Sequence, residues 1–329
     1  MLNKLYKYTA LRLEFFDNLM IRASQKYALN DPFELMPTQS HKNKNFSDDS
    51  YFDYAVASLS ETNNNLLMWS HYADQHQGIV IEFYPNKPLF DSYKSFAKTK
   101  YDSNVEGEVI DEEETEKRKI INAGVVQRVR YSSMRPKLNK YETLLEHFLV
   151  KSEEWIYEKE HRVILPLVAA DKVIVHEKHL AEIEELSYSE EVLEKTYLGK
   201  NMFMVNFKGP LLDEYRALYS YNSDYLPDEI MEGAFVESII YSYLQKISKD
   251  SSTVFLYKVP PDAIKAIYIG CRVAESERQM VLDKIKSKKD LSHISVFQAE
   301  TSSNRFELKF KKVAKNLIGT KKSFNNKRG

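Results

Sequence analysis

Leu5-Tyr6-Lys7-Tyr8 sets two tyrosines on one side of an extended segment and Lys7 on the other, the period-two signature of a short strand. A helix is expected to follow, and Leu19-Met20-Ile21-Arg22 predicts a second strand. In Asn30-Asp31-Pro32-Phe33-Glu34 the residue types match a helix start, with Asp31 as N-cap, Pro32 at the first position and Glu34 reaching back. Polar residues 38–53 read as loop. Strand character returns over 54–60, Asn63-Asn64-Asn65 opens a helix with Leu66, Trp69 and Ala73 on one face, and Gly78 suits its end. Ile79-Val80-Ile81-Glu82-Phe83 lacks alternation and predicts a strand covered on both faces.

Further along, Asp111 to Lys119 is a charged helix or exposed loop, Val125–Tyr131 a strand, Tyr141–Glu153 an amphipathic helix and Trp155–Leu165 another strand. Between about 170 and 250 the pattern turns to long, charged, tyrosine-rich helical segments, including Glu182–Lys195 and Asp228–Lys249. Core-like sequence resumes at Val254–Val259 and Ile264–Gly270, followed by a helix over Ser276–Ile285 and a last strand at His293–Phe297. The expected organisation is an α/β core from 1–168 and 254–300, a helical insertion or small lobe at 169–253, and a basic tail from 305 to 329.

Composition narrows the classes. With 43% apolar and 12% aromatic residues and a formal net charge of −1, the chain can bury a sizeable core and is unlike a disordered one. Its one cysteine, Cys271, excludes an internal disulfide framework and a multi-thiolate metal site, and points to a reducing cytoplasm. No apolar run is long enough to predict a membrane span, and the first residues lack the pattern of a signal peptide. From Lys309 to Gly329 there are seven Lys and Arg328 with no acidic residue, a stretch suited either to phosphate contacts or to life as a solvated tail.

Much chemistry is excluded. The nine glycines are too far apart for a phosphate-cradling loop, so nucleotide-binding fingerprints that need clustered glycine are absent. No serine-hydrolase elbow occurs, and His176-Glu177-Lys178-His179 has the wrong spacing for a zinc protease helix. What stands out is Trp155-Ile156-Tyr157-Glu158-Lys159-Glu160-His161-Arg162. As a strand it would set Glu158, Glu160 and Arg162 on one face, where two neighbouring carboxylates beside an arginine form either an ordinary ion-pair face or a working acid–base pair. Ser58 and Ser60 share a strand face in the same way, and Trp69 and Tyr72 lie three apart on a helix, where they serve equally as core or as a stacking surface.

Taken in order, Leu5-Tyr6-Lys7-Tyr8, Asn30-Asp31-Pro32-Phe33-Glu34, Ser58-Leu59-Ser60, Met68-Trp69-Ser70-His71-Tyr72-Ala73-Asp74 with Gly78, Trp155-x-Tyr157-Glu158-x-Glu160-x-Arg162 and Ile267-x-Ile269-Gly270 resemble a widespread bacterial family of unknown function. The layout of that family in turn resembles the ADP-ribosyltransferase superfamily, including DarT-like toxins that modify nucleic acid. This resemblance implies an α+β fold with a mixed, split β-sheet core, flanking helices and a helical insertion. It implies NAD as substrate and a macromolecular acceptor, including nucleic acid reached through the basic tail. A toxin role in anti-phage defence, with an antitoxin or other regulatory protein as partner, follows from the same resemblance.

By position, the resemblance assigns Glu160 to stabilising the ribosyl cation and Glu158 to activating the nucleophile. Lys7, Tyr8, Ser58, Ser60, Trp69, Tyr72 and Arg162 then surround NAD. The superfamily keeps an Arg or His where this chain has Lys7 and Tyr8, and Arg12 or Arg22 would have to supply the missing guanidinium fork. Two rival readings stand beside this one: a non-catalytic recognition module, and a metal-dependent nuclease built on Asp290, Glu307 and Lys309.

Overall fold

The computed structural model describes residues 4–36, 38, 48–90, 123–137, 144–184, 194–206 and 242–313, and the fold is a mixed α+β arrangement. An eight-stranded sheet is built, in spatial order, from Leu308–Lys312 (β15), Ser295–Thr301 (β14), Ile264–Ile269 (β13), Ile79–Phe83 (β4), Leu5–Thr9 (β1), Tyr54–Ser60 (β3), Glu160–Pro166 (β8) and Val126–Arg128 (β5). All its neighbours are antiparallel except β13 and β14, which the helix Glu275–Ser287 connects as a crossover, the connection that parallel strands require. A five-stranded antiparallel sheet holds Lys195–Gly199 (β10), Met202–Asn206 (β11), Lys172–His176 (β9), Val254–Lys258 (β12) and Met20–Ala23 (β2). Arg130–Ser132 (β6) and Val150–Ser152 (β7) form a short parallel pair.

β4 explains why both faces of the large sheet are covered. Ile79, Ile81 and Phe83 pack into the main apolar cluster, together with Leu5, Leu165, Phe255 and Tyr257 from both sheets. Val80 faces the other way, into a second cluster of Tyr6, Tyr8, Met68, Trp69 and Tyr268. All five β4 residues, Glu82 included, are buried, as the lack of alternation along the strand predicts.

Several local expectations are corrected. Asn30–Glu34 does not start a helix: Asp31 Oδ1 accepts from the Phe33 amide at 2.9 Å, the chain turns, and Leu35 adopts φ 54°. Asp-Pro chemistry here makes an Asx turn, which uses the same side-chain acceptor as a cap would. In place of the long strand from Trp155, a 3₁₀ segment runs over Glu153–Glu158, with Ser152 Oγ accepting from the Glu154 amide, and Lys159 at φ 46° leads into β8. In the segment 141–153 the described residues form a helix at Leu144–Leu149 followed by β7. Val125–Tyr131 becomes two short strands, β5 and β6.

Of the span 169–253, expected to be helical, residues 185–193 and 207–241 lie outside the described ones, and with them most of the expected helices Glu182–Lys195 and Asp228–Lys249; its described part holds strands β9 to β11 and short helices at Leu180–Glu184 and 242–248. Their Val173, Val175, Ile183, Val205, Leu244 and Ile247 join the main cluster. The charged segment 111–119 lies outside the described residues. So does most of the basic tail, whose beginning is not a tail but the edge strand β15, beyond the last strand the sequence predicts.

Gly78 also plays a different part from the expected helix cap. Three residues before it, Asp74, Gln75 and His76, take positive φ, whereas Gly78 itself is needed because a Cβ there would lie 2.3 Å from the Thr9 carbonyl oxygen of β1. Gly78→Ala is therefore expected to lower the unfolding free energy by about 1–3 kcal/mol, the usual cost of overpacking against backbone. Urea denaturation of the variant and the parent protein measures this.

Candidate functional site

β1 and β3 are hydrogen-bonded neighbours at a single register position, Tyr6 opposite Ser60. Beyond it the strands part. Four residues along, at Val56, β3 is met by the other sheet instead, through an isolated bridge to Ser24 just past β2. Ser58 lies between these two attachments, and its carbonyl accepts from Lys7 Nζ at 3.1 Å across the gap. A cavity of about 310 Å³ occupies this fork.

Register brings the separated motifs to the same wall. Antiparallel pairing of β3 with β8 sets Ser60 opposite Glu160 and Ser58 opposite Arg162, so these four side chains share a face with Tyr6 and Tyr8. Lys7, Tyr8, Arg22, Ser58, Ser60, Tyr72, Glu158, Glu160 and Arg162 all line the cavity, as does Arg12. Glu158 joins Glu160 although strand alternation, the reason for expecting the pair, does not apply. The left-handed turn at Lys159 swings the end of the 3₁₀ segment so that both carboxylates reach the same cation.

That cation is Lys151, on β7. Its ammonium donates to Glu158 at 2.7 Å and to Glu160 at 3.3 Å, and it pairs with Glu34 at 3.2 Å. Arg162 completes the group: Nε and Nη2 donate to Glu160 at 2.8 and 3.1 Å, Nη1 to the Phe148 carbonyl at 2.8 Å, and Nη2 also to Glu34. All five side chains are buried. The sequence reading missed Lys151, which no motif marks, and gave Glu34 to a helix cap. Its i, i+3 spacing from Asp31 suits a capping box, but the turn frees its carboxylate for Arg162.

Three carboxylates against two cations leave one negative charge in this shell, and the two glutamates of the motif respond differently. Burial pushes the Glu158 carboxyl above its ordinary value, with Lys151 only partly opposing it. Burial also disfavours the Glu160 anion, but Arg162 and Lys151 more than offset it and hold Glu160 down at about 2. The reason is geometric, since Arg162 grips both Glu160 oxygens, whereas Glu158 has Lys151 on one oxygen and the Tyr72 hydroxyl, at 2.5 Å, on the other. Glu160 is thus held as an anion, and Glu158, whose carboxyl is raised, is the more readily protonated of the two.

Helix Leu66–Tyr72 (α2) delivers Tyr72. Asn65 caps it, accepting from the Leu67 and Met68 amides at 3.0 and 3.2 Å, while its Nδ2 donates to the Tyr157 carbonyl at 2.8 Å and ties the helix to the 3₁₀ segment. Trp69 is the correction here. Its ring is fully buried, donates from Nε1 to the Asn63 carbonyl at 2.7 Å and packs edge-on against Tyr8, so it anchors α2 and does not line the cavity. Ser60 is likewise occupied: its hydroxyl donates to the Glu158 carbonyl at 2.6 Å and ties β3 to the end of the 3₁₀ segment. Tyr8 donates to the Thr62 carbonyl at 2.8 Å.

The rest of the lining is cationic. Lys7, Arg22 and Arg12 form a chain of like charges in which burial and then Glu160 and Arg22 set Lys7, bringing its ammonium down to about 8, and burial followed by Arg12 lowers Arg22. Arg22 Nε is buried with no partner, and among the described residues no carboxylate forms an ion pair with Arg12 or Arg22. Such a cluster is suited to an anion with several oxygens.

Among the described residues no group of His, Cys, Asp or Glu is arranged to hold a metal ion. Asp290 precedes β14 and Glu307 precedes β15, which runs antiparallel to it with Thr301 opposite Leu308, so the two carboxylates sit at opposite ends of a seven-residue strand, about 20 Å apart. The Asp290, Glu307 and Lys309 pattern is not brought together.

Residues 68–163 match a family described as "Protein of unknown function (DUF2971)". The match begins in α2 and ends in β8, and so spans Tyr72, Lys151 and the whole Glu158-x-Glu160-x-Arg162 motif while leaving β1 and β3 outside. The resemblance to a family of unknown function holds over that span. Comparison with curated proteins and with solved structures gives no match. No helix among the described residues is long and apolar enough to cross a membrane.

Replacing Lys151 by Met is expected to cost about 3–5 kcal/mol of stability, because it leaves buried carboxylates facing a single arginine. A urea titration at neutral pH measures this, and a change under 1 kcal/mol would remove Lys151 from the centre of the network.

Proposed function

We propose that the chain transfers ADP-ribose from NAD to a macromolecular acceptor. One observation carries the reading: a single cavity is lined by a chain of three cations, Lys7, Arg12 and Arg22, the two arginines with no carboxylate ion pair among the described residues, and by a buried carboxylate pair, Glu158 and Glu160. The first suits the diphosphate of a dinucleotide, and Arg12 and Arg22 supply the guanidinium forks that Lys7 cannot. The second suits the ribose, where loss of nicotinamide leaves positive charge on C1′.

In this reading the bond between nicotinamide nitrogen and C1′ breaks, and its electron pair leaves with neutral nicotinamide. Glu160, ionised throughout and fixed by Arg162, faces the developing cation without reorganising. The acceptor nucleophile bonds to C1′, and Glu158 takes its proton. Tyr72, whose hydroxyl is spent on Glu158, lines the cavity and flanks nicotinamide. Ser58 lies alongside Glu160 and adds to its stabilisation.

Nucleic acid is the acceptor we assign. Supporting it are exposed Lys309, Lys311 and Lys312 on the edge strand β15, followed in sequence by four more lysines and Arg328. A role as a cytoplasmic toxin in anti-phage defence, restrained by an antitoxin or other regulatory protein, extends the same proposal and rests on the resemblance of the motifs.

Incubation with adenylate-labelled NAD and total RNA, DNA or cell lysate tests the activity. Wild-type protein is expected to label one acceptor class, and Glu160→Gln to lose about 10²- to 10³-fold in rate while still binding NAD, since it removes charge and keeps shape. A melting curve verifies that the variant is folded. No label transfer, no nicotinamide release and no NAD binding by calorimetry would favour a recognition module instead.

The proposal also fixes a pH dependence. Lys7 is charged below about 8 and neutral above it, so NAD affinity should fall by about tenfold as pH rises from 7 to 9.5. Lys7→Met should bind more weakly at pH 7 and lose the dependence, which calorimetric titration at several pH values measures.

A further inference from the structure

A second cavity, of about 270 Å³, backs onto the first through the shared side chains of Glu34 and Lys151. It is walled by the turn Asp31–Met36, by residues 132–136 and by β7. Its lining is mixed in an unusual way. Phe33 is 60% exposed and Met134 73% exposed, large apolar groups held out on turns with no core function. The Arg135 guanidinium carbon lies 5.8 Å from the centre of the Phe33 ring. Deeper in, Asp31 is 4% exposed: Oδ1 accepts from the Phe33 amide, and Oδ2 is buried with no donor among the described residues.

We propose that this cavity binds a nucleobase carrying an exocyclic amine, with the base against Phe33 and Arg135 and the amine donating to Asp31. Each element answers to one feature of the lining. A flat aromatic ring with a guanidinium beside it is a stacking surface for a planar heterocycle. A buried carboxylate oxygen with no donor is costly to leave so, and an N–H donor entering the cavity satisfies it; the terminal torsion of an aspartate is broad enough for the oxygen to turn towards it. A cationic ligand would satisfy Asp31 equally but would meet Arg135 and Lys151 as like charges, whereas a neutral base does not. The cavity is large enough for one heterocycle, so discrimination falls on a single base.

This site does not depend on NAD chemistry in the neighbouring cavity, and the two proposals fail separately. Nucleosides are the right probes because they lack the phosphates that Lys7, Arg12 and Arg22 would grip. Saturation-transfer NMR with the full chain compares two pairs that differ only in the exocyclic amine, cytidine with its 4-deamino analogue and adenosine with purine riboside. The amine-bearing member of each pair is expected to bind about tenfold more tightly, the worth of a hydrogen bond to a charged acceptor.

Asp31→Asn is expected to abolish that preference, and Phe33→Ala to weaken both members of a pair alike. Because Asp31 also forms the turn, a melting curve is recorded for each variant; Phe33→Ala touches only an exposed ring and provides the independent check on location. Absence of saturable binding by any nucleoside would overturn the proposal. So would equal binding within each pair, or a preference that survives Asp31→Asn.

Discussion

Everything in the fork cavity depends on a buried charge cluster, Lys151 and Arg162 against Glu34, Glu158 and Glu160. Removing five ionised groups from water is expensive, and a set of this kind persists only when nearly every donor and acceptor is satisfied. Arg162 meets that demand with both faces of its guanidinium fork, reaching two carboxylates and the Phe148 carbonyl. A hydrophobic replacement would be no less stable on general grounds, so the cluster is better understood as a device for holding two carboxylates in different protonation behaviour than as a source of stability.

The cluster also joins parts of the chain that have little else in common. Glu34 comes from a turn after β2, Lys151 from a two-stranded pair, Glu158 from the end of the 3₁₀ segment, and Glu160 and Arg162 from the start of β8. The parting of β1 from β3 opens the space into which these groups face, and the capture of β3 by Ser24 from the second sheet keeps it open. Lys7, at the point of parting, spends one hydrogen bond on the exposed Ser58 carbonyl that the missing strand pairing would have used.

Much of this is legible in the sequence, for reasons that differ by residue. β1, β3 and β4 follow from alternation or from mostly apolar stretches that lack it, and the Asn65 cap follows from side-chain chemistry. Glu158 and Glu160 were expected together on the wrong ground, because period-two geometry cannot foresee a left-handed residue at Lys159. Asp31 and Glu34 carry the same residue types in a capping box and in an Asx turn, and only the tertiary pull of Arg162 on Glu34 separates the two. Lys151 was invisible, since a lone lysine in a charged stretch has no local mark. Trp69 illustrates the opposite error: helical spacing brought it beside Tyr72, but the ring turns inward to Tyr8. In 169–253 abundant charge and tyrosine favoured helix, yet β9 to β11 form strands because hydrogen bonding to β12 and shared core burial outweigh local propensity.

The most direct measurement is a crystal structure of the full chain with a non-cleavable NAD analogue. The account predicts the diphosphate against Arg12 and Arg22, and the nicotinamide ribose with C1′ beside the Glu160 carboxylate and within reach of Glu158. An analogue bound outside the fork, or seated with its ribose away from Glu160, would contradict it.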